Sequence, residues 1–550
     1  MNARSSRVSL SRIVMLIGAM LGVPVQTPVM AQSFLDVPYI TTQSPEVFRD
    51  LFARARCGTV RILMLGDSQE TTPGGAGAIY VPRLQHEFWT RIGNAPETPW
   101  MQLRISTGGG QPYADYLWRG GHIQQGVTAP RLPLSAFPPG QSGAKTSTTN
   151  GNNVNGNQFY GNLLLLQHDC ANVNPDSELR GLHQYFDRTA RIALDVMAAS
   201  NPSSGEVRVR VTPSPSDAMG FFFPTTAVFD MAMGLERPTV EMVVGRVGPL
   251  PMGSGYSMQV ELSGTDPTKF TDLITARFVN MDDPRGFVMT SLSAGGYKAL
   301  DVQYYHPGCG PILGAMQPDF IMICFGANDS SGVTPPPNSM PITPARYRAD
   351  LESLIAFVRS HTRADLPVIL VSDPARMNLP NQTAGENLDA QPGIHAAMAL
   401  ADPLVCALNS RRLTHEAGWT PTGGTPYLSD GVHYTPLGAR LKAALEAQAL
   451  FDAFFPPFTD CNANGVDDRC DILSGTSLDL NADGVPDECA CDPDLNADGN
   501  TDQDDIACLA QAVAGDASCT TSDADFNRDG NVDQDDVDAL AQVVGGAPCP

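Results

Sequence analysis

Past its first thirty residues the chain has no apolar run long enough to cross a bilayer, which excludes a multi-span membrane protein built on helices. It offers no basic patch, and that argues against a nucleic-acid partner. Cys/His pairs at zinc spacing are absent, and the residues between the cysteines are mostly oxygen donors, so cysteine-ligated zinc ranks below disulfide bonding. A Gly-x-Ser-x-Gly elbow is missing at Ser68, the serine of greatest interest, which argues against one widespread way of presenting a nucleophilic serine.

What is present begins with a targeting pattern. Arg4, Arg7 and Arg12 give a positive start, Ile13 to Val25 is uncharged and apolar, and Val29-Met30-Ala31 suits a cleavage site. A run of 13 residues is short for a membrane anchor, so residues 1–31 are expected to be a cleaved signal peptide and the mature protein to be soluble and exported. At 550 residues the chain is long enough for about two to four domains, and an apolar fraction of 42% is ample for packed cores. The net charge of −24 is unevenly placed. Residues 460–550 hold 22 Asp and Glu against Arg469 and Arg528, a net of −20, which leaves 37 acidic and 33 basic residues, −4, for the remainder. Dense carboxylates suit divalent cations. Of twelve cysteines, seven lie in this tail (Cys461, Cys470, Cys489, Cys491, Cys508, Cys519 and Cys549). Export permits disulfides, and the odd number requires that at least one be free or pair outside the tail.

Three apolar runs read as buried parallel strands: Arg61 to Leu65, ending in Gly66-Asp67-Ser68; Phe320 to Phe325, ending in Gly326-Ala327-Asn328-Asp329; and Val368 to Val371. Leu351, Leu354, Ile355 and Val358 share one helical face. Thr435 can cap a helix with Pro436 at its first position, after which Leu437, Leu441 and Leu445 recur every four residues. Strands alternating with helices predict an α/β sandwich with a parallel sheet. Residues 111–285 lack that alternation. Strand-like stretches at Ile192–Val196, Glu206–Val211, Thr239–Val247 and Ser257–Leu262 predict an inserted β-rich module, read as a sandwich, and the Gly/Ser/Thr/Asn-rich residues 139–157 predict a mobile loop.

Acyl transfer needs a nucleophile, a base, a group to orient the base, and donors for the developing oxyanion. Ser68 follows a buried strand, so its hydroxyl is expected at the carboxyl edge of the sheet, where open α/β folds bind ligands. His433 precedes the last helix, and Asp430, three residues earlier, can reach the imidazole from the same loop. Asn328 follows the second strand at the same edge. Gly66-Asp67-Ser68, Gly326-x-Asn328-Asp329 and Asp430-x-x-His433, in that order, resemble three of the four sequence blocks of SGNH (GDSL-like) hydrolases. The fourth supplies a glycine N–H, and Ser293-Ala294-Gly295-Gly296-Tyr297, after a strand-like Phe287 to Leu292, is similar to it. Gly296 is the expected donor, with Gly295 as the alternative and Gly108-Gly109-Gly110 as a rival site. The resemblance implies a three-layer α/β/α fold, a Ser68–His433–Asp430 triad, and an oxyanion hole from Ser68 N–H, Gly296 N–H and the Asn328 amide. Ser68 and Gly296 stand 228 residues apart, more than the family usually allows, and the inserted module accounts for the distance.

Pro456-Pro457 marks the boundary of the tail, which repeats. Asp494-Leu-Asn-Ala-Asp-Gly-Asn-Thr-Asp-Gln-Asp-Asp505 recurs 31 residues later as Asp525 to Asp536, and short helical patterns follow (Ile506/Leu509/Val513 and Val537/Leu540/Val544). Oxygen donors on alternating residues, with glycine at position six, suit calcium. The candidate ligands are Asp494, Asn496, Asp498, Asn500, Asp502 and Asp505, then Asp525, Asn527, Asp529, Asn531, Asp533 and Asp536. Asp at position twelve and the lack of a preceding helix make residues 490–548 resemble dockerin modules, which implies a cohesin-type partner; a disordered acidic tail is the competing reading. Asp460, Asn462, Asn464 and Asp471, and more weakly Asp479, Asn481, Asp483 and Asp487, resemble thrombospondin type 3 repeats.

The expected organisation is a signal peptide (1–31), a hydrolase domain in two parts (32–110 and 286–455), the β-rich insertion (111–285), a linker with calcium repeats (456–490) and the dockerin-like module (491–550). The expected activity is a secreted serine esterase removing O-acetyl groups from polysaccharide, with no catalytic cofactor and with structural calcium in the tail. A lipolytic esterase or acyltransferase, and an inactive calcium-dependent adhesion or scaffold protein, are the alternatives.

Overall fold

The computed structural model describes residues 33–70, 80–97, 99–102, 118–124, 144–147, 158–163, 191–200, 202, 206–213, 229–251, 258–264, 270–331, 342–376, 382–420, 426–462, 464–479, 484–486, 489, 493–516, 518–520, 524–527 and 530–546. The expected signal peptide, Gly108–Gly110, Asn481, Asp483, Asp487 and Asp529 lie outside them.

A six-stranded sheet organises the chain. Its strands are β1 (Ile40–Thr42), β2 (Thr59–Gly66), β3 (Gly286–Ser291), β4 (Phe320–Cys324), β5 (Val368–Val371) and β6 (Val405–Leu408). The order across the sheet is β1-β6-β5-β4-β2-β3. All neighbours are parallel except β1 and β6. The short apolar runs become strands because both faces are covered, and continuous burial of β4, β5 and β6 is what that position demands.

Alternate residues of β2 face opposite layers. Ile62 and Met64 meet helices Pro45–Arg54, Tyr80–Ile92 and Pro436–Phe454. Leu63 and Leu65 meet helices Ala299–Tyr305, Gly310–Met316 and Pro344–His361. The result is the three-layer α/β/α arrangement. Phe52 is fully buried among Phe88, Phe287, Phe320, Phe451 and Phe454, and truncating such a side chain to Ala typically costs about 3–5 kcal/mol. Leu351, Leu354, Ile355 and Val358 are buried as their spacing predicts.

The helix after His433 forms as expected, with the Thr435 hydroxyl accepting from Gly438 N–H at 3.1 Å and Pro436 at its start. Its leucine row is not the buried stripe, however. Leu437 is 47% exposed, whereas Ala439, Lys442, Ala443, Glu446, Ala447 and Leu450 face inward. A cation and a carboxylate therefore lie where an apolar pattern would be sought.

Between β2 and β3 the described strands are antiparallel. Glu241–Pro251, Arg191–Ser200, Phe270–Asn280 and Met101–Gln102 pair in that order, and Ala144–Ser147 joins at Phe270–Asn280. Met258–Gly264, Glu206–Pro213 and Phe229–Gly234 form a second sheet, and Trp118–Gln124 pairs with Gln158–Leu163. Ala144–Ser147 corrects the reading of 139–157 as loop throughout: backbone pairing with residues 270–273 overrides a loop-like composition. Arg277 ties this region to the central sheet. It bridges Asp195 at 3.1 Å and Glu97 at 2.7 Å and stacks 4.3 Å from the Trp100 ring, while Glu97 also pairs with Arg61 of β2 at 2.6 Å.

The segment after Pro456 is fastened to the α/β body. Cys57 and Cys470 form a disulfide, so one tail cysteine does pair outside the tail. Arg56 donates to the carbonyls of Pro456 and Pro457, pairs with Asp467 at 2.7 Å, and lies over the Phe455 ring at 4.1 Å. Cys461–Cys489 and Cys508–Cys519 are disulfides within the tail. Helices Gln503–Val513 and Gln534–Val544 share a small core of Leu495, Leu509, Phe526, Val537 and Leu540.

Candidate active site

Five segments meet at the carboxyl edge of the sheet, and each is placed by its strand or loop. Gly66 ends β2. A side chain there would meet the Glu70 side chain at 2.7 Å, which accounts for the glycine ahead of Asp67 and Ser68. Gly326 plays the matching part after β4: its φ is +146°, and a Cβ would fall 2.1 Å from Gln391 Nε2. Beyond β3, Leu292 N–H and Ala294 N–H continue the ladder to the carbonyls of Met64 and Gly66. That brings the Gly295-Gly296 turn to the nucleophile, so that a Cβ at Gly295 would lie 3.7 Å from Ser68 Cβ. Gly296 has φ +80°, as the turn requires.

Ser68, His433 and Asp430 converge. Ser68 Oγ lies 3.0 Å from His433 Nε2, and His433 Nδ1 lies 2.7 Å from Asp430 Oδ2. The other Asp430 oxygen accepts the N–H groups of Val432 (2.9 Å) and His433 (2.7 Å), so one carboxylate shapes the loop and orients the ring together. A Leu428–Tyr434 bridge closes the loop's base. Partial burial would raise the Asp430 pKa, but the bonds from His433 and Val432 outweigh it and hold the carboxyl down at about 2. Both loop side chains reach solvent, His433 being 40% and Asp430 55% exposed.

Asn328 also reaches this cluster. In the resting geometry its amide donates to Asp67 Oδ2 at 3.1 Å and to the Tyr297 carbonyl at 3.0 Å, so both protons already have acceptors. Donation to an oxyanion would require one of them to turn or be shared.

Beneath Ser68 lies a buried floor of ionisable side chains that sequence reasoning missed. Asp67 accepts from Gln69 N–H at 2.9 Å; burial raises its pKa despite Arg376 and that bond. Burial and the neighbouring Asp67 push Glu70 well up. Asp373, just after β5, is raised to about 6 by burial against the pull of Arg376. Asp329 is raised to about 8 by burial, although it accepts the Ala299 N–H. Lys442 Nζ sits 2.9 Å from Glu446 and 3.5 Å from the centre of the Tyr80 ring, and Tyr80 hydrogen-bonds Glu446. Asp67 and Asp329 were visible only as motif neighbours. Lys442 and Glu446, at i and i+4, carried no signal against a solvated-face reading.

In the tail loops, Asp494 accepts from the N–H groups of Asp498 and Gly499, and Asn496 and Asp498 accept further along the turn. Asp525 accepts from Gly530 N–H in the same way. Asp505 and Asp536 are buried. Each accepts two N–H groups, from Asn496 and Asp502 and from Asn527 and Asp533 respectively. The donor set is hard oxygen throughout, and Gly499 and Gly530 supply the turns at φ +88° and +89°. Among the described residues, no three carboxylates of these loops bring oxygens within 4.8 Å of one another.

No protein-family model and no curated protein matches the chain. Among solved structures it is similar to a peptidoglycan O-acetylesterase, at 14% identity and a TM-score of 0.48, over 76% of this chain and 99% of that one. An acetyl xylan esterase from Geobacillus stearothermophilus matches at 16% identity and a TM-score of 0.24, over 32% of this chain and 77% of that one. A family two carbohydrate esterase from Cellvibrio japonicus matches at 10% identity and a TM-score of 0.22, over 48% and 87%. With each TM-score below 0.5, the chemistry has to be argued from the residues themselves.

Proposed function

We propose that the chain is a serine ester hydrolase of SGNH type. The supporting observation is the hydrogen-bonded line from Ser68 through His433 to Asp430 at the sheet's carboxyl edge. His433 Nε2 takes the Ser68 proton as Oγ attacks the ester carbonyl. The alkoxide of the tetrahedral intermediate is held by N–H groups of Ser68 and Gly296, or Gly295 in its place, with Asn328 as the third donor. His433 then protonates the departing alcohol, and water repeats the sequence on the acyl-enzyme. Asp430, ionised at any pH well above 2, keeps the ring in the tautomer that presents a free Nε2.

The substrate reading is an acetyl or similarly small acyl group carried on polysaccharide outside the cell. An open triad suits an ester on a bulky hydrophilic chain. The dockerin-like repeats imply the same setting, since such modules commonly attach polysaccharide-degrading enzymes through a cohesin-type partner. Calcium would be held by Asp494, Asn496, Asp498, Asn500, Asp502 and Asp505 and by their counterparts from Asp525 to Asp536, where it would order the tail. Titration with calcium followed by circular dichroism tests this, and an unchanged spectrum removes the calcium reading.

Replacing Ser68→Ala is expected to abolish p-nitrophenyl acetate hydrolysis while leaving the unfolding midpoint unchanged. Retained turnover overturns the hydrolase reading. A preference for long acyl chains over acetylated polysaccharide would instead favour a lipolytic enzyme.

A further inference from the structure

We infer that Gln69 is a positioning residue that sets the distance between Ser68 and His433 by tying the nucleophile turn to the histidine loop. The inference rests on the hydrolase reading above. Ser68 and His433 are 365 residues apart in sequence, yet their side chains must meet within hydrogen-bond reach. Bonds inside the loop, from Asp430 to Val432 and His433 and between Leu428 and Tyr434, fix its shape but not its distance from Ser68.

One described side chain spans that gap directly beside the nucleophile. Gln69 Nε2 donates to the Val432 carbonyl at 2.9 Å. Val432 is thereby held from both sides, its N–H by Asp430 and its carbonyl by Gln69. Gln69 is only 2% exposed, so water does not stand in readily for this bond. Among the described residues its Oε1 is buried without a hydrogen-bond partner, and the Nε2 bond to Val432 orients the amide.

The other end is equally fixed. Gln69 N–H donates to Asp67 Oδ1, and Asp67 Oδ2 accepts from Asn328. A continuous chain of contacts therefore runs from Asn328 through Asp67 and Gln69 to the loop that carries the base. Rates of positioned reactions are sensitive to such placement: a misplacement of about 1 Å can cost about a hundredfold.

The test uses the full chain with Gln69→Met, which keeps the length and removes the donor, and Gln69→Leu, which fills the same buried space without an amide. Both are expected to lower kcat for p-nitrophenyl acetate by about 10- to 100-fold with KM within about twofold. The rate of Ser68 phosphonylation by a fluorophosphonate should fall in parallel, since that reaction forms the Oγ–P bond, releases fluoride and passes the proton to His433. The urea midpoint should stay near that of wild type. The inference is overturned if either folded variant reacts at the wild-type rate, if the loss lies in KM, or if activity falls only as the folded fraction falls in both variants. A wild-type chain that neither hydrolyses the ester nor takes up the phosphonate overturns the hydrolase reading instead.

Discussion

The two sides of the candidate triad are built in opposite ways. Ser68 stands on a floor of buried ionisable side chains, with Asp67, Glu70, Asp373, Lys442 and Glu446 all nearly or fully inaccessible. Asp430 and His433 belong to a short loop open to solvent and shaped largely by its own hydrogen bonds. A buried ion pair is costly to break because the remaining partner keeps its desolvation penalty, whereas an exposed pair contributes little to stability. The loop side should therefore govern rate and the floor should govern stability.

The sharpest challenge to that division is Asp430→Ala. Loss of the group that orients His433 should lower kcat by about 10³–10⁴-fold while the unfolding midpoint barely moves. A large drop in stability would show that the loop is structural after all. Next comes Lys442→Met, which leaves Glu446 buried without its cation. Urea denaturation should register a loss of about 3–5 kcal/mol, with turnover per folded molecule retained, and adding Glu446→Gln should restore much of it. Unchanged stability would refute the role given to the floor.

The smallest effect is a pH slope. Asp329 titrates at about 8 when folded, against 3.8 as a free side chain, so the folded state holds a proton that the unfolded chain releases. Its contribution is complete below the unfolded value and is lost as pH rises through about 8. Asp329→Asn should flatten stability between those limits, as seen in denaturation midpoints collected across pH; an unaltered slope would mean that Asp329 is ionised in the folded protein. His395 works the other way. Burial lowers it to about 3, so its contribution is present above the free value of 6.5 and is lost as pH falls toward 3.

The sheet was legible because its strands are continuous apolar runs ending in glycine and polar residues. Val368–Val371 matches its observed limits, and Ser68, Asn328, Asp430 and His433 all arrive at one edge. The short strands Ile40–Thr42 and Val405–Leu408 carry too little pattern to stand out. The floor was illegible for a different reason. Lys442 and Glu446 are spaced like an exposed helical pair, and only the packing of Tyr80 and the other aromatic rings over that helix encloses them. Likewise Gln69 gives no sign in sequence that its partner is a carbonyl 363 residues away.

The Cys57–Cys470 bridge alters what a cut in the chain would mean. Pro456-Pro457 looks like a clean place to separate the body from the acidic tail. Yet a protease acting there would leave both pieces in one covalent molecule, visible as two bands only after reduction. The covalently joined unit that carries Ser68 and His433 therefore extends past the proline boundary to at least Cys470. A shortened version ending at residue 455 would expose an unpaired thiol at Cys57 and strip Arg56 of its acceptors at Pro456, Pro457 and Asp467.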